Sequence, residues 1–298
     1  MTSSALGATR NAITRPVMRP TKPKRGGLAT RAVKKGRAMI SRREMLAGFS
    51  GLVVGGAANA ILLSAKGNAS SSAPHFWPPR RLDPLECARV AYQGYWEENG
   101  GCGFAVFKGM IGMMGIKYGA PYDTFPLWMM SYAAGGIASW GTVCGALNCA
   151  AAAYGLFYGK KQQQPLIDSL FSWYEKEELP QFVPEEPVVT MDLKRTVTKS
   201  VLCHASLSCW SYETGHKVSS KECRERCSRV AADVTHRAVE ILNAVIRGEP
   251  PQVTLSQAQQ GCAQCHSSGK EADCSRTKMD CNFCHQGTLS NKSVNHPK

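Results

Sequence analysis

Ser220-Lys-Glu-Cys-Arg-Glu-Arg-Cys-Ser-Arg-Val-Ala-Ala-Asp-Val-Thr-His-Arg-Ala-Val-Glu-Ile-Leu-Asn-Ala-Val-Ile-Arg-Gly248-Glu-Pro-Pro251 is the stretch that decides the fold. Val230, Ala231, Val234, Ala238, Ile241, Leu242 and Val245 recur at helical spacing, and Gly248-Glu-Pro-Pro251 stops the run. The pattern predicts one long helix over about 220–247. His236 falls on its opposite, polar side with Arg229, Asp233, Glu240 and Asn243. Cys223 and Cys227 stand one turn apart near its start.

The rest of the chain has the same texture. Asp83-Pro84 reads as an N-cap followed by proline at the first helical position, and helical character continues to about Trp96. Gly100-Gly101-Cys102-Gly103 breaks it before a second helix that runs to about Tyr118. Residues 125–159 carry no charge, but Gly135, Gly136, Gly141 and Gly145 interrupt them, so they read as two buried helices joined by a glycine loop and not as a membrane span. An amphipathic helix is expected over 164–178 and a short one near 255–265, with little strand signal. The fold class is therefore mainly α: a helical, cysteine-rich domain over 74–250, followed by a short, loop-rich segment at 251–298.

The formal charge of +14 is concentrated at the start: residues 1–43 hold twelve Lys and Arg and no acid. Without residues 1–44, 24 basic residues face 21 acidic ones, which excludes a broad nucleic-acid-binding surface. Ser41-Arg42-Arg43-Glu44-Met45-Leu46 opens an apolar run through Leu63, the pattern of a twin-arginine export signal, and Ala58-Asn59-Ala60 is a plausible cleavage site. Residues 1–65 thus read as a basic extension plus signal, with Met39 a candidate true start. The expected location is periplasmic, with no stable membrane span in the mature form. This route carries folded cargo, which hints at a cofactor inserted before export.

The terminal segment contains Cys262-Ala-Gln-Cys265-His266 and Cys281-Asn-Phe-Cys284-His285. Cys-x-x-Cys-His is the attachment pattern of a c-type haem: two thiols add to the vinyl groups and the adjacent His gives one axial nitrogen. Two copies predict two haems per chain, held by Cys262, Cys265, Cys281 and Cys284, with His266 and His285 as proximal ligands. The fifteen residues between Cys265 and Cys281 also fit a four-thiolate zinc site and a structural role. Such a site does not need a His after each pair, and both pairs have one. So short a segment cannot enclose two haems, which predicts cover from the helical domain and a homodimer through the haem region.

Nine cysteines remain; an exported protein could pair such a set as disulfides, but the count is odd, and Cys223-x3-Cys227 and Cys144-x4-Cys149 put side chains on one helical face, which suits shared metal ligation better. Four thiolates are enough for an iron–sulfur cluster. Gly101-Cys102-Gly103-Phe104-Ala105-Val106-Phe107, Gly141-Thr142-Val143-Cys144-Gly145-Ala146-Leu147-Asn148, Cys203-His204 and Cys227 resemble the redox-protein family named for its C_GCAxxG_C_C pattern. Joined to two haem motifs, this is similar to the split-Soret cytochromes c of anaerobic bacteria. The resemblance implies a homodimer with two closely spaced bis-histidine haems per subunit, in which each iron takes one His from the partner. It also implies a further [2Fe–2S] centre, with Cys102, Cys144, Cys203 and Cys227 as the matching ligands. Cys87, Cys149, Cys209 and Cys223 have no place in that pattern.

Distal haem ligands are sought among His75, His204, His216, His236 and His296. His204 comes first because it adjoins a candidate cluster cysteine, and His296 second because it lies in the haem segment. The expected function is electron transfer between redox partner proteins. The alternative is a small oxidoreductase with an open haem site.

Overall fold

The computed structural model describes residues 76–97, 100–253, 255, 257–271 and 278–280. The expected export signal, His75, Cys274, the second Cys-x-x-Cys-His motif and His296 lie outside the described residues. Two compact units divide the chain at Ser70, and everything below concerns the second.

Eight α-helices are described. α1 is Pro84–Trp96, α2 Cys102–Phe107, α3 Met113–Tyr118, α4 Gly145–Phe157, α5 Lys160–Tyr174, α6 Cys203–Thr214, α7 Lys221–Ile246 and α8 Gln257–His266. A π-helical turn, Lys108–Gly112, joins α2 to α3. Two residue pairs form the antiparallel ladder of β1, Glu178–Leu179, with β2, Thr196–Val197, in register Glu178 to Val197. No described helix is long and apolar enough to cross a membrane.

Capping sets the ends of the two principal helices. The Asp83 side chain accepts a 2.8 Å hydrogen bond from Glu86 N–H, with Pro84 in the first turn of α1. Ser220 accepts from Cys223 N–H at 3.2 Å, and α7 stops at Gly248, whose φ of +85° suits glycine. α7 is the axis of the domain, packing most extensively on α1 and also on α2, α4 and α5. Its apolar face joins Phe107, Met110, Met114, Leu147, Leu166 and Leu170 in one core.

Much of the polar side of α7 is buried as well, while the His236 and Glu240 side chains on it stay 40% exposed. Arg229, Asp233 and Asn243 are each 7% exposed, and each has partners. Arg229 pairs with the fully buried Glu225 at 2.8 Å, Asp233 accepts from Gln181 and Phe182 N–H, and Asn243 accepts from Leu82 N–H. Polarity at these three positions therefore marks internal hydrogen bonding, not solvent.

Two sequence-based boundaries differ. The uncharged stretch 125–159 holds one α-helix, α4, preceded by a 3-10 run at Leu127–Ala133. Gly135, Gly136, Ile137, Ala138, Ser139 and Gly141 all have positive φ, which winds the connection the left-handed way and denies it a second α-helix. α5 starts at Lys160, with Pro165 inside it, so the hydrophobic pattern found its core face and not its first turn.

Candidate metal centre

Four cysteines from four separated segments converge. Cys102 opens α2 after Gly101, Cys144 immediately precedes α4, Cys203 opens α6 and Cys227 lies on the second turn of α7. Crossed backbone bonds hold two of them together: Cys144 N–H donates to Val201 O at 2.8 Å, and Cys203 N–H donates to Thr142 O at 2.7 Å, either side of a Val143–Leu202 bridge. Cys102, Cys203, Cys223 and Cys227 line one cavity of about 380 Å³ with Tyr95, His204 and Arg224. Cys144 lies close enough to interact electrostatically with Cys102, Cys203 and Cys227.

Glycine makes this convergence possible. A Cβ on Gly136 would sit 2.8 Å from Cys203 Cβ and 2.7 Å from Thr142 N, at a φ of +69°. One on Gly103 would meet Met130 O at 2.6 Å and Cys149 Sγ at 2.7 Å. The left-handed turn at 135–141 is thereby pressed against α6 beside the cysteines.

The electrostatics of the sulfurs are uneven. Burial raises Cys102 well above an ordinary thiol, and like-charge repulsion from Cys227, Cys144 and Cys203 adds to it. Burial also raises Cys144, opposed by a hydrogen bond from the Tyr174 hydroxyl and by the Ala146 and Leu147 N–H groups. Cys203 is pushed up to about 12 by burial. Cys227 moves the other way, because Cys223 S–H donates to it and the Arg226 guanidinium stands beside it. A thiolate is the metal-binding form, so a group binding here must displace protons from buried thiols. Three of the four cysteines sit at helix N-termini, where the aligned peptide dipoles favour that negative charge.

No three described His, Cys, Asp and Glu side chains already close on a point that would grip a single metal ion. The sulfurs instead ring a cavity, which suits a group of several atoms better than a lone ion with sulfur about 2.3 Å away. None of the ten described cysteines is in a disulfide. Cys87 and Cys149 are core thiols raised to about 12 by burial, and Cys209 faces Glu213 at 3.8 Å.

Cys223 is the residue that sequence reasoning left without a place. Its one-turn spacing from Cys227 was the signal. Leu207, three residues after His204, joins it in a small apolar cluster with Trp210 and Leu193.

The histidines separate. His204 is exposed at the start of α6, in the same cavity wall as the cysteines, with Nδ1 3.5 Å from Ser208 Oγ. His216 stacks on Trp210 at 5.5 Å, and His236 stands 3.8 Å from Glu240. Cys262, Cys265 and His266 lie on α8, where spacings of three and four residues put them on one face. Gln259 on α8 donates to Glu175 Oε2 at 2.8 Å and so fastens this helix to the end of α5.

A cysteine-lined cavity in a helical domain, followed by a helix that carries a Cys-x-x-Cys-His motif, is the arrangement of a redox protein. Residues 102–241 match the family described as "Putative redox-active protein (C_GCAxxG_C_C)". The chain is 43% identical over 281 residues to the split-Soret cytochrome c of Desulfovibrio desulfuricans, covering 87% of this chain and 99% of that one. It is also similar to a solved structure reported as a novel iron centre in the split-Soret cytochrome c of that organism. That match has a TM-score of 0.68 and 43% identity, over 74% of this chain and 95% of the other. The chain belongs to the split-Soret cytochrome c family.

Proposed function

We propose that this protein is an exported dihaem cytochrome c that carries electrons and holds a second iron centre in its helical domain. The observation that carries this reading is the meeting of Cys102, Cys203 and Cys227 at one cavity, with Cys144 close enough to interact with all three, in a domain tied by Glu175 and Gln259 to the helix bearing Cys262, Cys265 and His266. These four cysteines would hold an iron–sulfur group of [2Fe–2S] type. Cys262 and Cys265, with Cys281 and Cys284, would hold the two haems, and His266 and His285 would be their proximal ligands. His204 and His296 are the proposed distal ligands, reached in a homodimer through the haem region, and the location is periplasmic.

Haem and cluster iron supply one-electron chemistry, with potentials set by ligands, charge and burial. The chain's own part is positional. Helix N-termini and hydrogen bonds hold sulfurs that burial alone would keep protonated. The Gln259 bond fixes the helix bearing Cys262 and Cys265 against α5.

Two axial histidines leave a haem iron no open position, which separates a carrier from an enzyme. Carbon monoxide added to the reduced protein should leave the Soret band in place. A rapid, stoichiometric shift to a carbonyl spectrum would favour an oxidoreductase with an open haem site.

A further inference from the structure

Arg226 is 2% exposed, and among the described residues no carboxylate forms an ion pair with it. Its Nη2 donates to Ser206 Oγ at 2.7 Å, while its Nε is buried with no nitrogen or oxygen partner. The groups that face it electrostatically are Cys227, Tyr174 and Cys144. Asp233 also feels the guanidinium, but it forms no ion pair with it and accepts N–H bonds from Gln181 and Phe182, and burial raises its carboxyl to about 7. A buried cation without a counter-charge is costly, so natural proteins pair it. Among the described residues, the sulfurs of Cys227 and Cys144 are the groups facing it that can take that negative charge.

The surrounding contacts make this a built arrangement. Ser206 lies three residues after Cys203 on α6 and also meets the Tyr174 hydroxyl at 3.0 Å, while Tyr174 reaches Cys144. Arg226 precedes Cys227 on α7. One guanidinium therefore braces the helices that carry Cys203 and Cys227, through a serine shared with the tyrosine against Cys144.

We propose that Arg226 is the fixed counter-cation of the sulfur site, a positioning residue that sets how much negative charge the iron centre holds and thereby raises its reduction potential. This rests on the iron-centre reading above. When the centre takes one electron from a one-electron donor such as a reduced haem, its net charge falls by one. A permanent buried cation stabilises that reduced form without any proton moving.

The test is a redox titration of the intact cytochrome, following the iron centre by electron paramagnetic resonance and the haems by visible absorption. Wild type, Arg226→Met and Arg226→Lys are compared, with iron and haem counted in each. In Arg226→Met the reduced-to-oxidised ratio of the centre at a fixed potential should drop at least tenfold, which is 59 mV for a one-electron couple. Arg226→Lys should stay within threefold of wild type, and the haem potentials should move less than the centre's. Loss of non-haem iron from Arg226→Met but not from Arg226→Lys would equally support the charge role. An unchanged potential in an iron-replete Arg226→Met overturns the proposal. So does equal loss of iron in both variants, because shape and not charge would then hold the centre. Absence of non-haem iron from the wild type would instead refute the iron-centre reading itself.

Discussion

Gln259, one turn before Cys262 on α8, donates a 2.8 Å hydrogen bond to Glu175 Oε2, 84 residues away at the end of α5. The same amide donates to Lys278 O at 2.7 Å, so one buried side chain joins the end of α5 both to α8 and to the chain three residues before Cys281. Truncation to Gln259→Ala leaves the Glu175 carboxylate short of a partner and should cost ~1–3 kcal/mol. Amide exchange should quicken across α8 while α7 stays protected. Equal protection of α8 in the variant would show that the bond does not hold the segment.

Glu175 also makes stability depend on pH. Burial, opposed by Gln259, raises its carboxyl from 4.5 to about 7, with Asp280 repelling and Lys176 attracting. The folded state thus keeps a proton that the unfolded chain has lost. Its contribution is complete below the unfolded value, is lost as pH rises toward 7, and is constant above, at up to ~1.4 kcal/mol per pH unit. Burial raises Asp233 from 3.8 to about 7, so it adds a second proton of the same sign. Chemical denaturation at several pH values should show stability declining through this window, with about half the slope in Glu175→Gln.

The cysteines should divide by position. Alanine at Cys102, Cys144, Cys203 or Cys227 should remove non-haem iron and leave haem in place. Alanine at Cys87, Cys149 or Cys209 should retain it. Iron analysis of purified variants decides this, and retention of all non-haem iron after loss of Cys227 would remove that residue from the ligand set.

Gly136 has no room for a methyl group, with Cys203 Cβ 2.8 Å from the position it would take. Gly136→Ala combines overpacking with an unfavourable positive φ and should cost ~1–3 kcal/mol. Because the strain falls beside Cys203, iron loading should fall more than haem content. Equal loading with wild type would show that the turn yields without moving α6.

Glu225 is fully buried and accepts from the Tyr92 hydroxyl at 3.0 Å, from Arg229 Nε at 2.8 Å and from Val189 N–H at 3.3 Å. Glu225→Ala strands Arg229 and should cost ~3–5 kcal/mol. At a temperature where the variant remains folded, its visible spectrum should match wild type, since the effect is on packing between α1, α7 and the 188–189 segment.

Periodicity made α7 and α1 legible because burial of a helix leaves a 3.6-residue mark. The Cys-x-x-Cys-His motif was legible from residue type and spacing, and Cys102, Cys144, Cys203 and Cys227 only through the resemblance to the redox-protein family; periodicity gave neither. It missed α6, whose Cys203–Thr214 run has Ser, Thr and His where a surface helix would show charge, and whose cap is a backbone bond from His204 N–H to Gly141 O. The polar side of α7 was legible as polar, but a sequence does not say what stands opposite Arg229 or Asp233, and both are buried against partners. Cys223 was noticed for its spacing from Cys227 but found no place in the family pattern, and Arg226 escaped notice because its contacts, Ser206 and Tyr174, come from α6 and α5 and not from any local pattern.

The most direct test is to count iron and covalent haem per chain in one purified sample while recording its visible spectrum. Two haems with a split or shifted Soret band, and iron in excess of haem, are predicted. Iron equal to haem would contradict the account, because the four cysteines around the cavity would then hold nothing.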